Sequence, residues 1–568
     1  MTAGLELGDV YNATIQRIKA QDGDKSRLGM TALMWISHAE RPPRAIELCH
    51  ALAVQLGSMD FDVGNIPSMS TLVNCCQGLI TVDKEASTVR LIHFTLQEYL
   101  STHPDIFNKP HSAMAEICLT YLSSQSIKAL SPSPYIQNGT FLEYCSVYWG
   151  VHAKRELSEH GRSLALELLK EHYSQTSTRL LLAQVKNFYL SHFDTLSSFS
   201  GLHCASFFGI VEVVAGLLEL KCYNINEEDF SGRGALAWAA RNGHSGVVEV
   251  LLGQGEINPD EPDNDGRTPL MHAAGSGHQG VVKVLLGRED IDPDKPDMSG
   301  WTPLCLAAFR GLEEVVKILL EQEEVNPNRA DVFDRTPLLY AAEYGREGVV
   351  KILLGREEVD PNKPDNFGRT PLLDAASTGH EGVVKVLLGR EEVDPDKPDD
   401  HSRTPLSHAA DNGHEGVVKI LLRREEVNPD KPTNDGRTPL SHAASNGHEG
   451  VVKVLLGREE VDPDKPDDAG RTPLSWAAEG GHEGVVKILL GREEVDPDEP
   501  NDVGWTPLCH AAFHGHEEVV KILLGREEVD PDKPNVYGQT PLWWATHRQH
   551  SGVVALLQSR KAASPRTG

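Results

Sequence analysis

The chain has 568 residues and a formal net charge of −29, and its hydrophobic and charged fractions, 39% and 24%, are those of an ordinary globular protein. The acidic excess repels phosphate backbones and anionic lipids, so neither nucleic acid nor membrane is expected as a partner. No run approaches 18 consecutive apolar residues, and no basic segment followed by an apolar one opens the sequence. The nine cysteines form no CxxC pair, so we expect reduced thiols and a cytoplasmic location.

The first 197 residues are predicted to form a helical segment over 1–27, a winged helix over 28–104 and a helical connecting region over 105–197. In the middle part, three helical patterns precede two short β-prone runs, and a further helix follows. This order is typical of a winged helix. The predicted elements are helices Gly29–His38, Arg44–Leu56 and Ser70–Cys76, strands Leu79–Val82 and Val89–Ile92, and helix His93–Tyr99. The connecting region is predicted to be helical over Ala113–Leu122, Phe141–Ala153, Ser163–His172 and Thr178–Tyr189.

A winged helix raises the possibility of DNA binding, but the third predicted helix argues against it. A recognition helix directs basic and amide side chains toward bases and phosphates. Ser70–Cys76 contains neither Lys nor Arg, so it offers a phosphate backbone no favourable charge.

The remainder of the chain is a strict internal repeat. The tripeptide Thr-Pro-Leu recurs every 34 residues, and two degenerate units at Gly234 and Ser200 extend the same register backwards. A fixed period in this range predicts a solenoid of eleven units over 198–560, with a disordered tail over 561–568. The threonines are Thr268, Thr302, Thr336, Thr370, Thr404, Thr438, Thr472, Thr506 and Thr540.

One unit, 370–403, shows how each repeat is expected to fold. Thr370 is placed to cap a first helix whose opening residue is a proline, and Gly379 is placed to end it. A second helix buries valines and leucines and ends at Gly389, before a charged loop. Helices of about nine residues are unstable alone in water, so each unit must be stabilised by its neighbours. Polar replacements in the last unit, Gln549 and Gln558, fit a unit with no following neighbour.

These residues resemble the ankyrin repeat. Residues 436–463, GRTPLSHAASNGHEGVVKVLLGREEVDP, follow its signature closely, although the connecting loop is longer and more acidic than is usual in the family. The resemblance covers about 360 residues and implies protein–protein recognition, with ligands on the face made by the first helices and the loop tips. It implies a non-catalytic chain.

A second resemblance concerns most of residues 8–190. GMTALMWISHAERP (29–42), LITVDKEASTVRLIHFTLQEYL (79–100) and LEYCSVYWGVHA (142–153) look like the winged-helix and helical region that follows the nucleotide-binding core in fungal NACHT-type, NLR-like proteins. The resemblance implies that His93 stands where related nucleotide-switch (STAND) ATPases contact the phosphate of bound ADP. No GxxxxGK[ST] loop occurs in the chain, so we expect no nucleotide cofactor. The alternative is that the chain is the C-terminal part of such a receptor ATPase, whether as a natural short form or as a truncated one.

Other chemistry finds little support. The recurring Gly-His pairs are expected to hydrogen-bond at helix junctions rather than to bind metal, and prolines in the acidic loops break the geometry of a calcium loop. Cys145 and His152 stand at helical spacing, which is typical of core packing rather than of a catalytic pair. We therefore predict no catalytic residues, no metal and no cofactor.

The fold class predicted is all-α: a winged-helix and helical region followed by an ankyrin solenoid. Because residues 201–568 carry a net charge of −26 and residues 1–200 only −3, the expected partner is a protein with a basic or apolar patch. The sequence does not indicate an oligomeric state. Candidate binding residues are aromatic side chains at positions that vary between units, since stacking does not explain them. They are Trp238, Trp301, Phe309, Phe333, Tyr340, Phe367, Trp476, Trp505, Phe513, Tyr537, Trp543 and Trp544.

Overall fold

The structure is a computed structural model, and it forms two compact units, residues 1–292 and 293–568. The residues described are 7–58, 60–83, 85–128, 141–170, 180–181, 199–221 and 223–563. Within these residues, no helix is both long enough and apolar enough to cross a membrane.

The first unit opens with a winged helix and a helical region. Its two strands pair antiparallel, Ile80 opposite Leu91 and Asp83 opposite Thr88. The helices and strands are α1 Leu7–Lys19, α2 Gly23–His38, α3 Ala45–Ala53, a 3-10 turn Val63–Asn65, α4 Met69–Cys75, β1 Ile80–Asp83, β2 Thr88–Leu91, α5 Phe94–Thr102, a 3-10 turn Pro104–Ile106, α6 Pro110–Ser123, α7 Gln125–Lys128, α8 Phe141–Arg155 and α9 Glu159–Lys170.

The predicted elements that lie on described residues exist, and their ends differ. Helix α2 begins at Gly23, six residues before the predicted start. The prediction began too late because the first residues of the helix are polar and lack the apolar periodicity of the rest. Helix α3 ends at Ala53, where Val54 has already become extended. The predicted helix Thr178–Tyr189 lies outside the described residues except at 180–181.

Aromatic packing joins the winged helix to the helical region. Trp35 on α2 is 1% exposed, and its ring lies 5.6 Å from Phe141 and 5.4 Å from Tyr144 on α8. Farther along α8, Trp149 contacts Phe208 of the first repeat at 5.1 Å. The two helices approach so closely there that a Cβ on Gly150 would lie 2.1 Å from the Phe208 ring. The first unit therefore buries one continuous set of large side chains from α2 to the first repeat.

Every repeat consists of two short antiparallel helices, which we call the first and the second helix. The first helices are Gly201–Phe208, Ala235–Arg241, Pro269–Ser276, Pro303–Arg310, Pro337–Glu343, Pro371–Thr378, Pro405–Asp411, Pro439–Ser445, Pro473–Gly480, Pro507–His514 and Pro541–His547. The second helices are Val211–Glu219, Ser245–Leu252, Gln279–Leu286, Glu313–Leu320, Glu347–Leu354, Glu381–Leu388, Glu415–Leu421, Glu449–Leu455, Glu483–Leu489, Glu517–Leu524 and Ser551–Ala563. The last helix extends to Ala563, so the predicted disordered tail is wrong for residues 561–563.

The helix signals act as predicted. The Thr370 hydroxyl accepts the backbone N–H of Leu373 at 3.3 Å, and Pro371 occupies the first helical position, where no donor is lost. The paired alanines of the unit, Ala375 and Ala376, are completely buried. Because they are small, the first helices of consecutive repeats can approach closely.

Where a repeat has a Gly-His pair, the histidine connects it to the repeat before it. His414 Nε2 donates to the backbone carbonyl of Ser377 in the preceding repeat at 3.0 Å, and the same bond recurs at His448 and His482. Gly379 has φ +80°, and a Cβ there would lie 2.6 Å from the His414 ring. The glycine is therefore required both by its backbone conformation and by the next repeat's imidazole.

Candidate protein-binding face

The candidate face consists of the first helices and the hairpin tips that precede them. In the repeat at 467–480, Asp467 organises both parts. One carboxylate oxygen accepts the backbone N–H groups of Ala469 and Arg471 at 2.9 Å each, which fixes the hairpin turn. The other oxygen accepts the indole N–H of Trp476 on the first helix at 3.1 Å. A single buried carboxylate thus joins the hairpin to the helix.

The same link recurs with different donors nine residues after the aspartate. Trp238 donates to Asp229 at 2.9 Å, and the Tyr340 hydroxyl donates to Asp331 at 2.6 Å. Histidines take the place of these aromatic residues in two further repeats, where the pairs are His272 with Asp263 and His408 with Asp399. Trp, Tyr and His alternate at this position because each supplies a hydrogen-bond donor at a similar reach.

Two sequence predictions are corrected by these bonds. Trp238 and Tyr340 were expected to be exposed partner contacts, but they are 0% and 4% exposed. Trp238 packs against Phe199 and Phe207, each at 5.7 Å between ring centroids. Burial, together with the bond to Asp331, raises the pKa of the Tyr340 hydroxyl. Both side chains are internal donors, and the nine-residue Asp-to-donor spacing was the signal that sequence reasoning missed.

In three repeats the aspartate is replaced, and the donor position loses its usual partner. Thr433, Asn501 and Asn535 stand where the other repeats have Asp. Each has a buried ring nitrogen nine residues later that finds no hydrogen-bond partner among the described residues. These nitrogens are His442 Nε2, His510 Nε2 and Trp544 Nε1. Burial lowers the pKa of His510 to about 4, so its ring is neutral at physiological pH.

Apart from Trp476, the half-buried candidates form two aromatic clusters. In the first, the Trp301 ring lies 4.3 Å from Tyr340 and 5.4 Å from Phe309, which contacts Tyr344 at 4.5 Å. These aromatic residues therefore pack across the repeat boundary, since Trp301 and Phe309 each contact a tyrosine of the next repeat.

The second cluster belongs to the last two repeats. Trp505 contacts Trp544 at 4.8 Å and Phe513 at 5.2 Å, and Trp543 packs edge-on against Trp544 at 4.7 Å. The Arg548 guanidinium lies 4.0 Å over the Phe513 ring. Three of these rings are half-buried, while Trp543 is 42% exposed.

The most exposed candidates are at the hairpin tips. Phe333 and Phe367 are each 54% exposed, and Tyr537 is 75% exposed. Their backbones are held by Asx turns, for example with Phe367 N–H donating to Asp365 at 2.9 Å. The turns therefore hold the backbone at these positions while leaving the rings exposed to solvent.

Trp476 has a different environment. Its half-buried ring lies between two arginines, 4.0 Å from the Arg437 guanidinium and 3.5 Å from that of Arg471. Arginines occupy the same hairpin position in five consecutive repeats, a row that sequence reasoning did not single out. The row consists of Arg335, Arg369, Arg403, Arg437 and Arg471.

The residues weighed for other chemistry have structural contacts. Cys145 and His152 are both 0% exposed, and burial raises the pKa of the thiol and lowers that of the imidazole to about 3. His152 instead bonds to Tyr144 and His111 at 2.9 Å each. Within the described ranges, no group of three or more His, Cys, Asp or Glu side chains is placed to hold a metal ion.

His93, which the receptor resemblance singled out, caps helix α5. Its Nδ1 accepts the backbone N–H of Thr95 at 3.3 Å, and its exposed ring contacts Phe94. With Arg41 and Arg90 it lines an open cleft of about 430 Å³. The cleft has no phosphate-binding loop beside it, because the sequence contains none.

Comparison with protein families finds matches for two regions of the chain. Residues 17–109 match the model described as GPI inositol-deacylase, winged helix domain, the type of winged helix that follows NACHT domains in NLR-like proteins. No match was found among curated proteins. Residues 202–297, 289–365, 346–431, 416–501 and 485–567 match the model described as Ankyrin repeats (3 copies). These matches and the eleven helix pairs show that the chain belongs to the ankyrin repeat family.

Proposed function

We propose that the chain is a non-catalytic scaffold that binds a protein partner through the first helices and hairpin tips of its repeats. The observation that supports this most directly is the exposure of large aromatic side chains on rigid turns, at Phe333, Phe367 and Tyr537. Solvent-exposed aromatic rings are enriched among residues that dominate binding energies, and a fixed backbone reduces the entropy lost on binding.

The partner we propose carries a basic or apolar patch. The loops after the second helices expose paired carboxylates such as Glu357 and Glu358, which attract positive charge over several ångströms. A cytoplasmic location fits the thiols, since the eight described cysteines are all buried.

The test is a binding experiment with the full chain. A partner recovered by affinity purification is titrated against Phe367→Ala, Tyr537→Ala and Trp543→Ala, each compared with Lys385→Ala on a second helix. At least one aromatic variant should lose about 30-fold or more in affinity with an unchanged melting temperature, while Lys385→Ala stays within about 2-fold. Normal binding by all three, with losses on second-helix variants, would contradict the proposal.

A second candidate is favoured by the winged-helix match at residues 17–109. In this alternative, the chain acts as the repeat-bearing part of a nucleotide-switch receptor, and its partner controls an ATPase core encoded upstream. Sequencing full-length transcripts tests it. A transcript whose reading frame joins a GxxxxGK[ST] segment to this sequence would favour the receptor. Transcripts whose reading frames all begin at Met1 would favour the short scaffold.

A further inference from the structure

The arginine row of the candidate face has one member whose charge is not paired. Arg335 pairs with Glu343, and Arg403 lies 3.7 Å from Asp411. Arg369 lies 2.9 Å from Asp365, and Arg471 lies 3.3 Å from Asp467 and 3.5 Å from Glu479. Arg437 makes no ion pair and no side-chain hydrogen bond within the described part of the chain. Its buried Nε has no acceptor there, which is also true of Arg335 and Arg471, so the missing ion pair is what distinguishes it.

The sequence of this repeat explains the difference. A paired arginine finds its carboxylate either four residues earlier, as Arg471 does at Asp467, or eight residues later, as it does at Glu479. Around Arg437 these two positions hold Thr433 and Ser445, which carry no charge. The repeat therefore keeps the cation of the row and lacks both of its usual anions.

The two carboxylates whose charges act on Arg437, Asp411 and Asp435, already have hydrogen-bond donors. Asp411 accepts from His442 Nδ1 at 3.2 Å and from the Asn446 amide at 2.8 Å, and Asp435 accepts the Thr433 hydroxyl. Burial lowers the pKa of Arg437, and the flanking charges of Arg403 and Arg471 lower it further, against the opposing effect of Asp411 and Asp435. The guanidinium is thus partly desolvated, stacked on an indole and without a direct anionic partner.

We propose that Arg437, with Arg403 and Arg471 on either side and the Trp476 ring beneath it, binds the side-chain carboxylate of an Asp or Glu in an extended segment of the partner. This inference rests on the proposed function and names the group that the face recognises. A guanidinium pairs with a carboxylate through two parallel hydrogen bonds, and partial burial strengthens such a pair. An internal side chain fits better than a chain terminus because repeats continue the face on both sides of Arg437. The acidic loops attract a basic partner at long range, and this site selects one carboxylate at contact.

The experiment uses random 12-residue peptides, displayed at the N-terminus of a carrier so that none has a free C-terminus, and selected on the full chain. Selected peptides should share an Asp or Glu, and synthetic C-terminally amidated copies should bind. Changing that residue to Asn or Gln should cost at least about 10-fold in affinity. Arg437→Gln should cost the same, and combining the two changes should cost little more.

Two serine variants provide a matched pair. Ser445→Glu supplies the carboxylate that Arg335, Arg403 and Arg471 have eight residues later, so it should pair internally with Arg437 and weaken peptide binding about 10-fold. Ser377→Glu makes the same change beside Arg369, which already pairs with Asp365, and should leave affinity within about 2-fold. Because Ser445→Glu retains Arg437 and its stacking on Trp476, it remains decisive if Arg437→Gln lowers the melting temperature.

Peptides without a shared carboxylate, or equal affinity in Ser445→Glu and wild type, would overturn the inference. If such peptides still lose affinity in Tyr537→Ala or Trp543→Ala, the proposed binding face stands and only the Arg437 site fails. If no selected peptide is sensitive to any first-helix or hairpin variant, both proposals fail. Binding lost on C-terminal amidation would overturn the assignment to a side chain.

Discussion

The repeats at 467–480 and 433–446 have the same scaffold and different faces. Both begin a first helix with Thr-Pro-Leu-Ser and bury two adjacent alanines. In the former, Asp467 joins the hairpin to Trp476 and, with Glu479, pairs Arg471. In the latter, Thr433 and Ser445 leave the equivalent groups without those partners. The residues that stack the repeats are thus separate from those that differ on the candidate face, and a repeat can change its face without changing its fold.

The largest effect is expected from a change to the shared scaffold. Ala409 and Ala410 are completely buried, where consecutive first helices approach. Replacing both by leucine should destabilise the protein by about 2–6 kcal/mol, because each insertion overpacks a close contact. Chemical denaturation measures the loss. Deleting one whole repeat, Thr404–Arg437, should be milder and leave cooperative unfolding, since period and interfaces are retained. The opposite order would show that neighbour stacking does not hold the array together.

Asp374 is a repeat-specific change that introduces a buried charge. It stands nine residues after Asp365, at the position where many other repeats have a hydrogen-bond donor. Burial raises its pKa from 3.8 to about 6, against the attraction of Arg369 and Arg335. The folded state therefore retains a proton that the unfolded chain has released between these pH values. This contribution to stability is complete below about pH 4 and is lost as the pH rises through about 6.

Asp374→Asn removes the cost of burying that charge. At pH 7.5 the variant should be more stable than wild type by up to about 3 kcal/mol, the free energy equivalent of the pKa shift. At pH 3.5 the two proteins should be equally stable, since both side chains are neutral. Urea unfolding at the two pH values measures this difference. A variant that is less stable at pH 7.5 would show that the pairs with Arg335 and Arg369 outweigh desolvation.

The repeat that begins at Asn501 lacks the aspartate that accepts a hydrogen bond in other repeats, and one substitution can restore it. Asn501→Asp restores the acceptor that His510 Nε2 lacks, and the new bond should stabilise the fold by about 1–2 kcal/mol. It should also raise the pKa of His510 above its present value of about 4, because a neighbouring carboxylate favours the imidazolium form. Titration of the His510 resonances by NMR measures the shift. Asp502→Asn, a change at the exposed neighbouring position, is the control for charge and should move neither quantity appreciably.

The sequence predicted the architecture well, because each structural signal recurs. Thr-Pro and Ala-Ala were each identified from nine near-identical copies and Gly-His from seven, and their caps, contacts and junction bonds follow from local rules. The face was predicted less well. Variation at the position of Trp238 and Tyr340 was interpreted as partner contact, whereas it reflects interchangeable donors to a buried aspartate. Whether such a side chain bonds within the fold or faces solvent depends on its three-dimensional geometry, which variation between repeats does not reveal. In the N-terminal region no sequence signal is repeated, so the helices and strands could be predicted but their exact ends, such as the start of α2 at Gly23, could not.

The smallest expected effect concerns Glu499, which stands at a loop position where most repeats of the second unit have a lysine. In the second unit, loop lysines donate to a backbone carbonyl of the preceding repeat at 2.7–3.2 Å. These pairs are Lys363 with Asn328, Lys397 with Asn362, Lys431 with Asp396, Lys465 with Asp430 and Lys533 with Asp498. Glu499 occupies the equivalent position next to Asp464. Burial raises the pKa of Asp464 to about 6, and the charges of Asp496 and Glu499 add to the shift.

Glu499→Lys should therefore complete the series and stabilise the protein by about 0.5–1 kcal/mol at pH 7.5, through one hydrogen bond and the removal of one repulsion. Glu493→Lys makes the same charge change at an exposed loop position and controls for the general reduction of negative charge. The gain should be larger at pH 7.5 than at pH 4, because Asp464 is protonated in the folded state at the lower pH and repels Glu499 less. Equal stabilisation by the two lysine variants at both pH values would mean that net charge, rather than the contact with Asp464, accounts for the effect.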